Sequence, residues 1–294
     1  MDSTHKTTTD LVKTALSEDI GRGDLTSLGC LEPGPLRARI VAKSEGVLSG
    51  VTPAMLVFDT VDSANTIEFQ KGEGESFAYG DIIATIEGFN QTVLCSERVA
   101  LNFLGKLSGI ATLTRKFVQK IPAGNPCRIL DTRKTTPGWR ALEKLAVVHG
   151  GGMNHRFGLY DMALIKDNHI ASAGSITSAV AHLREYFTTR DFRLQFDTDP
   201  DRILVEVEIV NEAQLAEAIS AGVDRILLDN QSIESLVSLV KIARKLNPVV
   251  QLEASGNVTL ETVAAIAATD VDFISIGAIT HSAPVSDFSL QVLE

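Results

Sequence analysis

ILVEVEIVNEAQLAEAISAGVDRILLDNQSIESLVSLVKIARKLNPVVQLEASG, residues 203–256, alternates short apolar runs with amphipathic stretches. The runs ILVEVEIV, RILLDN and VVQLEAS are apolar almost throughout, the pattern of strands covered on both faces. Between them, Leu236, Leu239, Val240 and Ala243 fall on one face of a helix, and Asn211 and Ser232 stand where N-caps belong. Repeated strand–helix units of this kind predict a parallel sheet with helical crossovers.

The same rhythm continues on both sides. CRILDTRK and MALIKDNH precede this stretch and DFISIG follows it, which makes six strand-like runs and predicts an incomplete six-stranded TIM-like α/β barrel. The first part of the chain reads differently. From about Leu36 to Gly88, β-like runs are punctuated by Gly46, Gly72, Gly74 and Gly80. A helix is then expected from about Ser96 to Lys120, with Val99, Leu101, Leu104, Leu107, Ile110 and Leu113 as its apolar face. Gly105 and Gly109, one helical turn apart, would let another element approach closely.

Composition narrows the function. A formal net charge of −10 argues against a general nucleic-acid binder, because phosphate backbones reward a basic surface. The segment from Arg128 to His169 departs from that balance, with seven Lys or Arg against four acids and half of the six histidines. An acidic protein with one compact basic segment suits small anions. The three cysteines form no CxxC pair, so neither a thiolate metal site nor a disulfide framework is indicated. No apolar run approaches the roughly 18 residues of a membrane helix. With a polar start, MDSTHKTTTD, the expected setting is the reducing cytoplasm.

Chemistry-bearing residues collect at the C-terminal ends of the apolar runs, where barrel active sites form. CRIL leads into Asp131, Arg133 and Lys134; MALI into Lys166, Asp167 and His169; RILL into Asp229 and Asn230; VVQL into Glu253, Ser255 and Gly256; DFIS into Gly277 and His281. Glu206 and Glu208 lie two apart on one strand and so share a face, directed into the barrel. Such carboxylates need a partner. Mg²⁺ or ribose hydroxyls would serve, together with Asp229; internal pairing with Lys166 or Arg133 would serve equally. Small residues after the last two strands, Ser255-Gly256-Asn257 and Gly277-Ala278, let backbone N–H groups approach a phosphate.

DTRKTTPGWRALEKLAVVHGGGMNHRFGLYDMALIKDNHI closely resembles the signature of the quinolinate phosphoribosyltransferases. EDIGRGDLTS, SERVALNFLGKLSGIAT, VEVE, LLDN, EASGNV and IGAITHS fall in the family's order over almost the whole chain. The resemblance implies two domains. Residues 1–120, rejoined by about 282–294, would form an N-terminal mixed α/β sandwich domain, and residues 121–281 the barrel. It implies decarboxylating transfer of phosphoribosyl from phosphoribosyl pyrophosphate to quinolinate, giving nicotinate mononucleotide, CO2 and pyrophosphate, a step in NAD biosynthesis.

The resemblance also assigns residues. Arg98 would reach into the partner's site of a homodimer or higher homo-oligomer. Thr132, Arg133, His155, Arg156 and Lys166 would line the quinolinate pocket. Lys134, Glu206 and Asp229 would face phosphoribosyl pyrophosphate and Mg²⁺, with Glu206 and Asp229 as metal contacts, direct or through water. Lys166, Glu206 and Asp229 would be catalytic, and Ser255, Gly256, Asn257, Gly277, Ala278 and Ile279 would hold the 5′-phosphate. Asn257 stands where many relatives have glycine, and Trp139 replaces a more usual leucine. Three rivals remain: a transferase for nicotinate or another aromatic acid, a lipoyl-type carrier module modified at Lys71, and an inactive barrel used as a scaffold.

Overall fold

The computed structural model describes residues 3–196 and 198–293. In chain order the strands are β1 (Pro35–Ala42), β2 (Gly46–Val47), β3 (Thr66–Phe69), β4 (Ser76–Phe77) and β5 (Ile82–Phe89). There follow β6 (Arg128–Leu130), β7 (Ala163–Ile165), β8 (Val205–Ile209), β9 (Arg225–Asp229), β10 (Gln251–Ser255) and β11 (Phe273–Ser275). The last strand is β12 (Phe288–Leu293).

The chain forms two compact units: Met1–Lys116 with Lys134–Gly152 and Ala278–Glu294, and Phe117–Arg133 with Met153–Gly277. The first contains a four-stranded antiparallel sheet in the order β12-β1-β5-β3. Its core includes Ile40, Phe58, Ile83 and Ile86, together with Phe103, Leu104, Leu107 and Ile110 from the long helix Asn90–Lys120. Gly105 and Gly109 on that helix pack directly against the backbone of Ser286 and Pro284, the close approach that their spacing predicts.

Two features of this unit depart from the sequence expectation. Residues 134–152, expected with the barrel, pack here instead. Their helix Arg140–His149 buries Leu142, Ala146 and Val147, its C-terminal Gly150 fits against Ala111 and Thr114, and Trp139 stacks on Phe103 at 4.7 Å. A helix also occupies Val51–Val61 within the span read as β-like. Its β-branched residues mimic a strand, yet Pro53 is tolerated in a first turn and Pro53, Ala54, Val57 and Phe58 are its buried residues.

The second unit holds the six-stranded sheet, in the order β6-β11-β10-β9-β8-β7, with every pairing parallel. β6 and β7 are its two ends, so the barrel does not close on itself. Side chains alternate as a doubly covered sheet requires. Val205, Val207, Ile209, Ile226, Leu228, Leu252 and Ala254 take one face and are buried. The helix Ile233–Leu246 buries Leu236, Leu239, Val240 and Ala243, and its N-cap Ser232 accepts the Ser235 N–H. Asn211 caps the preceding helix through the Gln214 N–H. Each buried Leu or Val contributes roughly 1.5–3 kcal/mol, so this stripe anchors the strands whose ends carry the chemistry. Among the described residues no helix is long and apolar enough to cross a membrane.

Candidate active site

The inward face of the second unit carries polar groups at several depths, with Leu227 and Phe273 among them. Near the start of β9, Arg225 donates to Gln251 at 2.9 Å and to Glu253 at 3.2 Å, and its guanidinium lies 4.2 Å from the Phe273 ring centre. Next, His155 Nε2 lies 3.2 Å from Glu206 and 3.4 Å from Glu253, with both carboxylates fully enclosed. At the strand ends, Lys166 Nζ donates to Glu208 Oε2 at 2.6 Å. There too Asp229 accepts from the Ser255 hydroxyl, and from the Asn230 amide at 2.6 Å.

His155 and Arg156 reach this face through backbone pairing. Met153 N–H donates to the Ile129 carbonyl at 2.8 Å and Asp131 N–H to the Met153 carbonyl at 3.1 Å, so the segment runs parallel to the end of β6. Asp131, buried, then accepts the His155 N–H at 2.9 Å. Residues distant in sequence thereby meet Arg133. Burial, and then the charge of the nearby Arg133 guanidinium, lowers the Arg156 pKa. Two neighbouring cations of this kind leave positive charge that a carboxylate can offset.

The trio His155–Glu206–Glu253 is electrostatically closed. Desolvation opposes a proton on His155, but hydrogen bonds and charge from Glu206 and Glu253 outweigh it and push the imidazole up to about 9. Burial pushes Glu206 up as well. Neither Glu206 oxygen has a well-formed hydrogen-bond partner. Ligand atoms of the three residues lie within 4.8 Å of one another, the spread of a metal site, and Arg225 already pairs with Glu253 at 3.2 Å.

The phosphate-loop expectation has a clear local geometry. Gly256 has φ +96°, and a Cβ there would run into the Asn230 side chain. Asn257 has φ +48° and Asn230 φ +52°, so both asparagines hold the left-handed conformation that they tolerate better than most residues.

Of the expected residues, the second unit brings Arg133, Arg156, Lys166, Asp229, Ser255, Gly256 and Asn257 to the C-terminal ends of its strands, with Thr132 and Gly277 at its loop ends, while the His155 ring turns into the interior. Lys134, Ala278, Ile279 and Arg98 belong to the first unit. Arg98 is exposed on the long helix, and Ile279 is buried. Glu206 lies inside the barrel rather than at its rim; Glu208, two residues further along β8, is the rim carboxylate. No local signal in the sequence distinguishes them, because depth along β8 depends on its register with β7 and β9. Glu253, singled out in sequence at the end of VVQL, closes the interior network with Arg225, which carries no motif that marks it.

Family models for the N-terminal and C-terminal domains of quinolinate phosphoribosyl transferase match residues 24–108 and 110–291. The chain belongs to the quinolinate phosphoribosyltransferase family. Among its relatives, a probable carboxylating nicotinate-nucleotide pyrophosphorylase of Synechocystis is 44% identical over 95% of this chain and 90% of that protein. A chloroplastic carboxylating nicotinate-nucleotide pyrophosphorylase of Arabidopsis thaliana is 39% identical over 96% of this chain and 82% of its own length. The structure of the nicotinate-nucleotide pyrophosphorylase from Francisella tularensis superposes with a TM-score of 0.89 at 39% identity, covering 98% of this chain and 96% of that one. This member of the quinolinate phosphoribosyltransferase family therefore matches enzymes along nearly its whole length. That coverage leaves no room for the carrier-module reading, and Lys71 is paired with Asp81 at 3.2 Å.

Proposed function

We propose that this enzyme transfers the phosphoribosyl group of phosphoribosyl pyrophosphate to the ring nitrogen of quinolinate, with loss of CO2, to give nicotinate mononucleotide. The observation that carries this reading is the set of charged groups at the strand ends of one unit: Arg156 within the field of Arg133, Lys166 on Glu208 at the end of β8, and Asp229 with Ser255 at the ends of β9 and β10. Arg133 and Arg156 suit the two carboxylates of quinolinate, since guanidinium binds carboxylate in a bidentate fashion. His155 and Thr132 would support that pocket. Lys166, held by Glu208, places an ammonium at the rim, where an anionic substrate can exchange for Glu208 as its partner.

The phosphorylated cosubstrate fits the opposite strand ends. Ser255, Gly256 and Asn257, with Gly277, Ala278 and Ile279, offer backbone N–H groups to a phosphate. Lys134, the residue after Arg133, would take pyrophosphate. Mg²⁺ favours one or two carboxylates plus substrate phosphates. Asp229 at the rim fits that need; Glu206, fully enclosed beside His155, does not. When bound by Asp229, Mg²⁺ would neutralise the departing pyrophosphate. As that group leaves, positive charge develops on the ribose, which Asp229 and Glu208 stabilise electrostatically. Attack by the pyridine nitrogen breaks the bond from ribose to pyrophosphate and leaves a cationic ring. The adjacent C–C bond then breaks with loss of CO2, the electron pair stays on the ring carbon beside the cationic nitrogen, and that carbon takes a proton from water.

Arg98, exposed on its helix, would complete the site of a second copy in a homodimer. A reducing, cytoplasmic setting accords with three cysteines scattered along the chain. The test is direct: purified protein, Mg²⁺, phosphoribosyl pyrophosphate and either quinolinate or nicotinate, with nucleotide and CO2 measured. Quinolinate should give nicotinate mononucleotide and equimolar CO2. Nucleotide from nicotinate alone would overturn the assignment. Arg133→Ala should lower kcat/KM for quinolinate about 100-fold, the effect of losing a charged bidentate contact, with little change in thermal stability.

A further inference from the structure

A closed ring of five residues in the first unit ties together two loops that the proposed function uses. Glu143, fully buried on the helix Arg140–His149, accepts the Thr136 N–H at 3.1 Å and the Thr136 hydroxyl at 2.7 Å. Its other neighbour is Lys106 Nζ, 3.7 Å away, which rises from the long helix Asn90–Lys120. Lys106 Nζ donates in turn to the Thr280 carbonyl at 3.1 Å. The fully buried Thr280 hydroxyl then donates to the Lys134 carbonyl at 2.8 Å. Lys134 and Thr136 belong to one loop, so the circuit closes. The loop is further pinned where Trp139 stacks on Phe103 and Arg140 Nε donates to Thr135 at 3.0 Å.

Apart from the Lys134 ammonium, nothing in this ring is arranged to touch substrate. Glu143 and Thr280 are enclosed, and the Lys106 charge is turned onto protein oxygens. A buried carboxylate with a lysine partner is an expensive way to hold a turn that neutral groups could hold. What the ring specifies is position: it fixes the backbone of Lys134 relative to residues 278–280, the chain that follows β11. We propose that Thr280, Lys106 and Glu143 are positioning residues that set the place of the Lys134 ammonium against Ala278 and Ile279, the proposed phosphate-binding residues of the same unit, and so govern affinity for phosphoribosyl pyrophosphate rather than for quinolinate. The inference rests on the proposed function for the meaning of Lys134, and not for the ring itself.

Thr280→Val removes the hydroxyl with little change of shape, whereas Thr280→Ser keeps it. The valine variant should raise KM for phosphoribosyl pyrophosphate about tenfold, the loss of one buried hydrogen bond, and leave KM for quinolinate within about twofold. The serine variant should behave as wild type. Lys106→Met, which removes the ammonium and keeps the length of the side chain, should shift the same constant. Hydrogen exchange at the Thr136 amide should speed up in both the valine and methionine variants, a readout that needs no turnover. A folded valine variant with unchanged KM for phosphoribosyl pyrophosphate, or one whose two KM values rise together, overturns the positioning role. Wild-type protein without turnover would instead remove the proposed function, while faster exchange would still report the ring.

Discussion

His155 is the residue on which the interior of the barrel turns. Its imidazole is 7% exposed and faces two carboxylates at 3.2 and 3.4 Å. Desolvation alone would keep it neutral; the carboxylates win, and its folded pKa rises to about 9 from an ordinary 6.5. A pKa raised on folding means that the folded state holds its proton more tightly. The stabilisation is complete below about pH 6.5 and is lost as pH climbs through about 9, with an upper limit of about 3 kcal/mol. Denaturant midpoints measured from pH 6 to 10 should therefore fall at the alkaline end, and His155→Gln should flatten that slope. An unchanged slope in the variant would show that the trio does not hold the proton.

At the scale of an element, β8 separates two carboxylates that chemistry alone makes equivalent. Both point into the barrel, but one step of the strand, about 6.6 Å for two residues, takes the side chain from the enclosed network to the rim. Glu206→Gln should chiefly alter unfolding, because it changes a buried charge balance. Glu208→Gln should chiefly alter turnover, because it releases Lys166. Matched urea melts and kcat/KM values for the two variants would expose a reversed order. The six strands, the caps at Asn211 and Ser232 and the polar strand ends were all legible in sequence, since each follows from local periodicity or a single side chain. Depth along a strand was not, because it depends on register with β7 and β9. The helix Val51–Val61 was hidden for a related reason: its β-branched residues speak for a strand until packing decides. The association of residues 134–152 with the first unit rests on long-range contacts such as Trp139 on Phe103, which no local pattern announces.

At the scale of the whole molecule, the chain divides its resources between two units with separate cores, and Arg98 tests whether a second copy is needed. It is exposed on the long helix of the first unit, and its place in SERVALNFLGKLSGIAT carries the resemblance to a residue that serves the neighbour's barrel. Arg98→Ala subunits retain an intact barrel; Lys166→Ala subunits retain an intact Arg98. Each variant alone should be nearly inactive. Mixed in equal amounts and allowed to exchange, half of the dimers carry one of each, and each of those has one site with both groups present. Activity should recover to about a quarter of wild type, the limit set by two-fold symmetry and random pairing. If mixed dimers form, as mass spectrometry of differently tagged subunits would show, and no activity returns, then Arg98 acts within its own chain or not at all.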